Sequence, residues 1–184
     1  MSAPLLVTFV AGDTGVWRIE RMISVVGQDL PSATYLSMHE HPSPPKADPV
    51  IWALSATTSN TRYTNHDEGK GLVARQEGLL RPQATRAALI PIRKSEAWWS
   101  LAQDERRAIF EEQSRHIAIG MEYLPPIARR LLHCRELGEP FDFLTWFEYA
   151  PEHAEAFEQL VRRLRETREW AFVDREIDIR LSRA

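Results

Sequence analysis

The chain reads as an α+β domain: a ferredoxin-like α/β-barrel, of the dimeric α+β barrel kind, with an antiparallel sheet and covering helices. Three observations predict it. Stretches in which apolar residues recur at every second position are interleaved with stretches of helical period. Turn-forming residues that suit tight antiparallel connections separate several of the strand-like runs, Gly12-Asp13-Thr14-Gly15 among them. Finally, Phe141–Tyr149 carries apolar residues on both faces, the pattern of a strand between two buried layers. A sheet with helices on one face must close its other face on itself or on a second subunit, so a homo-oligomer is expected.

Each element follows from local pattern. Leu5–Val10 and Val16–Met22 flank the glycine turn as strand, turn, strand, and in the second Val16, Arg18 and Glu20 alternate with Trp17, Ile19 and Arg21. A third strand fits Thr34–Met38, and the prolines between His39 and Pro49 mark a loop. Val50–Ala56 is a strand and Thr57–Asn65 a polar loop. From His66 to Leu80 the apolar positions Leu72, Val73, Ala74 and Leu79 suggest a helix interrupted by Gly71 and Gly78. Arg86–Arg93 is a strand whose Pro91 requires an edge position or a bulge.

Ser95-Glu96 opens a helix carrying Trp98 and Trp99. Asp104-Glu105 opens a better one, with Ala108, Ile109, Glu112 and His116 at helical spacing, ended by Gly120 and Pro125-Pro126. Ala128–Arg135 and Phe141–Tyr149 form a hairpin. Pro151 to Trp170 is the strongest helix, with Phe157, Leu160, Val161 and Leu164 as its apolar stripe. Phe172–Leu181 alternates as the last strand.

Composition narrows the function classes. With 43% hydrophobic and 27% charged residues, 184 residues make one ordinary globular domain, residues 1–184. A net charge of -3 supplies no basic field, so no nucleic-acid partner is expected. Apolar runs such as Leu5–Val10 are far too short to cross a membrane, and Met1-Ser2-Ala3-Pro4 has no secretory pattern; a cytoplasmic protein is expected. The single cysteine, Cys134, excludes an internal disulfide and a cysteine-rich zinc site.

Few residues suggest chemistry unaided. There is no nucleophile elbow and no glycine-rich phosphate loop. Neighbouring His133 and Cys134 would point to opposite faces of a strand, so Cys134 reads as a buried inert thiol. His39-Glu40-His41 has metal-ligand types but no third ligand placed by spacing, and reads as solvated loop. Arg162, Arg163 and Arg165 read as a solvated helix face. Of Arg129 and Arg130, in a predicted strand, one must point inward, where a guanidinium needs either a structural carboxylate or a bound anion. His116, beside an apolar helix face, is by itself a core histidine or a ligand. The adjacent Trp98-Trp99 suggests a lined cavity or an interface, with ordinary core packing as the simpler reading.

In combination these residues resemble the chlorite dismutase family of haem b proteins. The resemblance rests on Ala88-Leu89-Ile90-Pro91-Ile92-Arg93-Lys94-Ser95-Glu96-Ala97-Trp98-Trp99, on Ser114-Arg115-His116-Ile117-Ala118-Ile119-Gly120 and on Phe141–Tyr149. The ending Glu169-Trp170 with Val173, Glu176, Asp178, Ile179 and Arg180 fits too. It extends from about Val50 to the C-terminus, and the length suits a short-subunit, dimeric branch.

The resemblance implies a haem b cofactor, chlorite as a small anionic substrate and a homodimer. It identifies His116 with the histidine that ligates the haem iron and Arg129 with the distal arginine of chlorite-decomposing members. Glu169 matches the carboxylate on the other imidazole nitrogen, with Glu166 as the alternative. Trp98 and Trp99 fall where the family places tryptophans near haem, Gln76 matches a polar neighbour of the arginine, and Asn60 and Tyr63 are candidates for haem-propionate contacts. The implied reaction passes an oxygen atom from chlorite to iron, leaving ferryl iron and hypochlorite, which recombine to chloride and dioxygen. Relatives on one fold differ in function. A coproheme decarboxylase, by this resemblance, carries glutamine where this chain has Arg129, and a haem-transfer protein needs no inward cation. A dye-decolourising peroxidase suits the length and the Trp-Trp pair poorly.

Overall fold

The structure, a computed structural model, describes residues 4–40, 49–58 and 64–184. Its centre is an antiparallel barrel of β1 (Leu6–Gly12), β2 (Trp17–Val26), β3 (Tyr35–Glu40), β4 (Val50–Thr57), β5 (Arg86–Lys94), β6 (Ala128–His133), β7 (Phe143–Tyr149) and β8 (Val173–Arg183). The strands run in the order β1-β3-β2-β8-β5-β7-β6-β4, and β4 pairs back to β1. The α+β antiparallel class therefore holds, but the ferredoxin-like arrangement is corrected: the sheet closes within one chain.

Period-two alternation explains the barrel. Inward positions such as Phe9, Trp17, Leu36, Trp52, Leu89, Trp146, Ile177 and Ile179 fill its interior. Trp146 sits centrally, 5.5 Å from both the Phe9 and the Trp17 rings. The outward positions of β5 and β7 meet the helix α5 (Ala154–Arg165), whose Phe157, Leu160, Val161 and Leu164 pack on Ala88, Ile90, Phe147 and Tyr149. This accounts for the two apolar faces of β7: one is barrel interior and the other lies under a helix.

Three expectations need correction. β1 and β2 are not paired with each other; β1 lies between β3 and β4, while β2 runs along β8. Alternation identifies a strand and its buried face but not its neighbour. Pro91 sits in an interior strand, without an edge: β5 pairs with β8 at Arg86–Leu89 and again from Ile92, and the proline falls in the gap. The C-terminal helix stops at Arg165; Thr167 turns extended and its hydroxyl donates to the Leu164 carbonyl at 2.7 Å. A tight helical turn, Arg168–Phe172, follows and carries Glu169 inward.

The remaining helices are α1 (His66–Arg75), α2 (Glu96–Ser100), α3 (Gln103–Arg107) and α4 (His116–Glu122). Asn65 and Glu68 form a capping box that starts α1, and Gly71 lies inside the helix without breaking it. Ser95 caps α2 as its sequence suggests. His116 does not sit late in the helix begun near Asp104. That helix widens into a π-helical turn, Ala108–Gln113, and Arg115 in the left-handed region (φ 53°) breaks the chain just before α4.

Candidate functional site

A cavity of about 380 Å³ lies between the outer face of β5, β6 and β7 and the helices α1, α4 and α5. Its strand wall is the alternating outward set Ile90 and Ile92, Arg129 and Leu131, Thr145 and Phe147. The helices add Leu72, Ile117, Leu160 and Leu164, so the walls are apolar with a few polar groups set into them. A smaller recess continues from it past His116 to Lys94, His133, Phe143 and Glu169.

His116 is held on three sides. Its ring stacks on Phe110 (4.4 Å between centroids, 21° between planes) and lies parallel to Trp170 at 6.3 Å. Its Nδ1 is 2.6 Å from Glu169 Oε2, and the other carboxylate oxygen accepts from Lys94 Nζ at 2.7 Å. Lys94 in turn stands over the Trp98 ring at 4.6 Å. The backbone N–H of Glu169 donates to Ser114 Oγ, which fixes where the carboxylate enters. Burial pushes the Glu169 carboxyl up, but the attraction of His116 and Lys94 and their hydrogen bonds outweigh it and bring the group down to about 2. An ionised Glu169 accepts a hydrogen bond from Nδ1–H, leaving Nε2 as the ring nitrogen available to the cavity.

The helix start places this imidazole. Arg115 offers α4 no side-chain cap, and Glu111, reaching across from the π-helical turn, accepts from the N–H of Ile117 at 2.7 Å and of Ala118 at 3.2 Å. The position of the histidine thus depends on a carboxylate five residues earlier in the chain.

Arg129 points into the same cavity from β6. Burial pulls its guanidinium below the ordinary arginine range, and among the described residues no carboxylate faces it. It lies against α4 at Gly120. Gln76, at the end of α1, donates its side-chain N–H to the Arg129 carbonyl oxygen. Arg130, its neighbour, points the other way and pairs with Glu40. At the floor of the cavity Glu176 accepts from Trp170 Nε1 at 2.7 Å and from Arg165 at 2.6 Å, which sets the tilt of the Trp170 ring.

The structure brings together His116, Arg129, Gln76 and Glu169. Glu166, by contrast, ends α5 in solvent. Trp98 and Trp99 do not line the cavity: Trp98 is buried behind it, under Lys94 and 5.5 Å from the Phe172 ring, and Trp99 donates to Asp142 at 3.1 Å beside Arg135. Asn60, Tyr63 and His41 lie outside the described residues. Sequence reasoning missed Phe110 and Glu111, and used Lys94 and Trp170 only as parts of motifs. Lys94 had a signal, since it continues the outward face of Ile90 and Ile92, where a lysine must be buried with a partner.

This donor set has a definite chemical character. Among the described residues no three His, Cys, Asp or Glu side chains gather to hold a bare metal ion. One imidazole nitrogen facing an apolar slot, with a carboxylate behind it, suits a metal that brings most of its own ligands. The desolvated guanidinium suits a small anion. No described helix is long and apolar enough to cross a membrane.

Comparison with known proteins agrees with that character. Residues 30–184 match the family model described as chlorite dismutase. The chain is 54% identical to the dimeric chlorite dismutase of Nitrobacter winogradskyi, with 96% of this chain and 99% of that one covered and a TM-score of 0.88. It is 29% identical to the chlorite dismutase of Candidatus Nitrospira defluvii solved with imidazole, over 71% of this chain and 54% of that one, with a TM-score of 0.56. A mutant of the Candidatus Nitrospira defluvii enzyme, 18% identical and covered to 93% by all of this chain at a TM-score of 0.67, shares the fold. The chain belongs to the chlorite dismutase family.

Proposed function

We propose that this protein is a haem b-dependent chlorite dismutase, a homodimer that converts chlorite to chloride and dioxygen. The observation that carries the reading is that His116 and Arg129 open onto one apolar cavity, the first backed by an ionised carboxylate and the second facing no carboxylate among the described residues.

The cavity fits haem by its chemistry. His116 Nε2 would ligate the iron, and the apolar wall of Ile90, Leu131, Phe147 and Leu164 would pack on the macrocycle. Bound there, haem supplies the redox chemistry. The chain supplies orientation and charge. Glu169 keeps the proton on Nδ1 and makes the imidazole a more basic ligand, and Lys94 holds Glu169 in place. Phe110 and Trp170 prevent the ring from turning. Arg129, a forked and permanently charged donor, draws a chlorine oxyanion into the cavity and retains it until turnover is complete. The desolvation it suffers when the cavity holds no anion is relieved by that charge.

The homodimer reading follows the dimeric Nitrobacter winogradskyi relative, and sedimentation of the haem-loaded protein tests it. The activity is tested with an oxygen electrode. Haem-loaded protein is expected to release oxygen on addition of chlorite. Arg129→Ala is expected to keep its haem and lose most of that release. A haem-bound wild type that releases no oxygen overturns the reading and makes coproheme with peroxide the next substrate to try.

A further inference from the structure

The glycine at position 120 has no conformational reason to be there. It lies inside α4 with right-handed helical backbone, where glycine is about 1 kcal/mol worse than alanine. Its reason is space. A Cβ built on Gly120 would collide with Nη1 of Arg129 and stand 3.1 Å from Cζ and 3.3 Å from Nη2. The guanidinium is therefore laid against the bare helix backbone. Glycines in α1 differ, since a Cβ at Gly71 would meet only ordinary contact at 3.6 Å and one at Gly69 only at 3.9 Å.

Gly120 also stands four residues after His116. Residues at that spacing share a helix face and are separated by about 6 Å along the axis. One face of α4 thus carries the imidazole on its first turn and, a turn later, the seat of the guanidinium. No other described side chain fixes the guanidinium by a hydrogen bond; Gln76 reaches only the Arg129 backbone.

We propose that Gly120 is a positioning residue, the seat that sets the distance of the Arg129 guanidinium from the His116 end of the cavity. A side chain at 120 would lift the guanidinium off the helix. The displaced group is the end of a flexible side chain, so the fold tolerates the change while the placement of the charge does not. This rests on the reading of Arg129 as the anion-holding group.

The test is a double-mutant cycle on haem-loaded protein, read as the fluoride dissociation constant from the absorbance spectrum. With Arg129 present, Gly120→Ala is expected to weaken fluoride binding about tenfold, the scale of one charge-assisted hydrogen bond. The melting temperature should not fall, because alanine is the better helix former. In the Arg129→Ala background the same substitution is expected to change nothing, because its route to the anion is gone. Equal weakening in both backgrounds would assign Gly120 to general packing and overturn the proposal. So would Gly120→Ala that binds fluoride normally while Arg129→Ala does not. If Arg129→Ala itself leaves fluoride binding untouched, the anion role of Arg129 fails, and a crystal structure of Gly120→Ala decides the seat: a displaced guanidinium upholds it and an unmoved one overturns it.

Discussion

Glu169 and His116 tie the end of the chain to its middle, with Oε2 2.6 Å from Nδ1 across 53 residues of sequence. The carboxylate is buried, as is the lysine on its other oxygen; their side chains are each 4% exposed. A lone buried carboxylate would protonate, and a lone buried ammonium would deprotonate. Together with the imidazole they form a closed set in which each charge is answered. The set places a full negative charge directly behind the ring.

Glu169→Gln separates the charge from the hydrogen bond. Glutamine can still accept from Nδ1 but no longer lends the ring anionic character. The variant is expected to bind haem with the iron reduction potential shifted upward, measured by spectroelectrochemistry. It also leaves Lys94 buried without a counter-charge, which should cost about 3 kcal/mol in urea unfolding of the haem-free protein. An unmoved potential would show that the carboxylate does not act on the ligand, and Glu166 is too exposed to replace it.

The same carboxylate predicts an acid transition. Its folded value, about 2, lies below an ordinary 4.5, so folding favours the deprotonated form. The stability it contributes is therefore fully present above about pH 4.5 and is lost as pH falls from there towards 2. Melting temperatures of the haem-free protein are expected to fall through that window more steeply for wild type than for Glu169→Gln. Parallel slopes would show that Glu169 is not a source of the acid loss.

Much of this was legible in sequence because it depends on period. The strand positions follow from alternation, and the stripe of α5 from Phe157, Leu160, Val161 and Leu164. His116, Arg129 and Glu169 were legible only through resemblance, since a histidine beside apolar residues and an arginine in a strand each have simpler explanations. What stayed hidden depends on contacts distant in sequence or on single backbone angles. The left-handed Arg115 gives no compositional sign, because glycine or asparagine is the usual occupant of that region. Reading through it merged two helices and misplaced His116 by a whole helix. Thr167 hid the stop before Glu169 in the same way, as a threonine inside an otherwise helical pattern.

That break at Arg115 supports the last prediction. α4 has seven residues, too few for stability of its own, and it begins at a residue whose side chain caps nothing. Glu111 holds its first turn by accepting from Ile117 and Ala118, and its negative charge also suits the positive end of the helix. Glu111→Ala should therefore cost about 1 kcal/mol, the usual value of a lost cap. The cost should fall on the segment that bears His116, so haem loss to an acceptor globin is expected to speed up about fivefold, the same energy expressed as a rate. Glu111→Gln keeps an acceptor oxygen and should recover part of the effect. If Glu111→Ala lowers the melting temperature yet releases haem at the wild-type rate, the cap stabilises the helix without governing where its histidine stands.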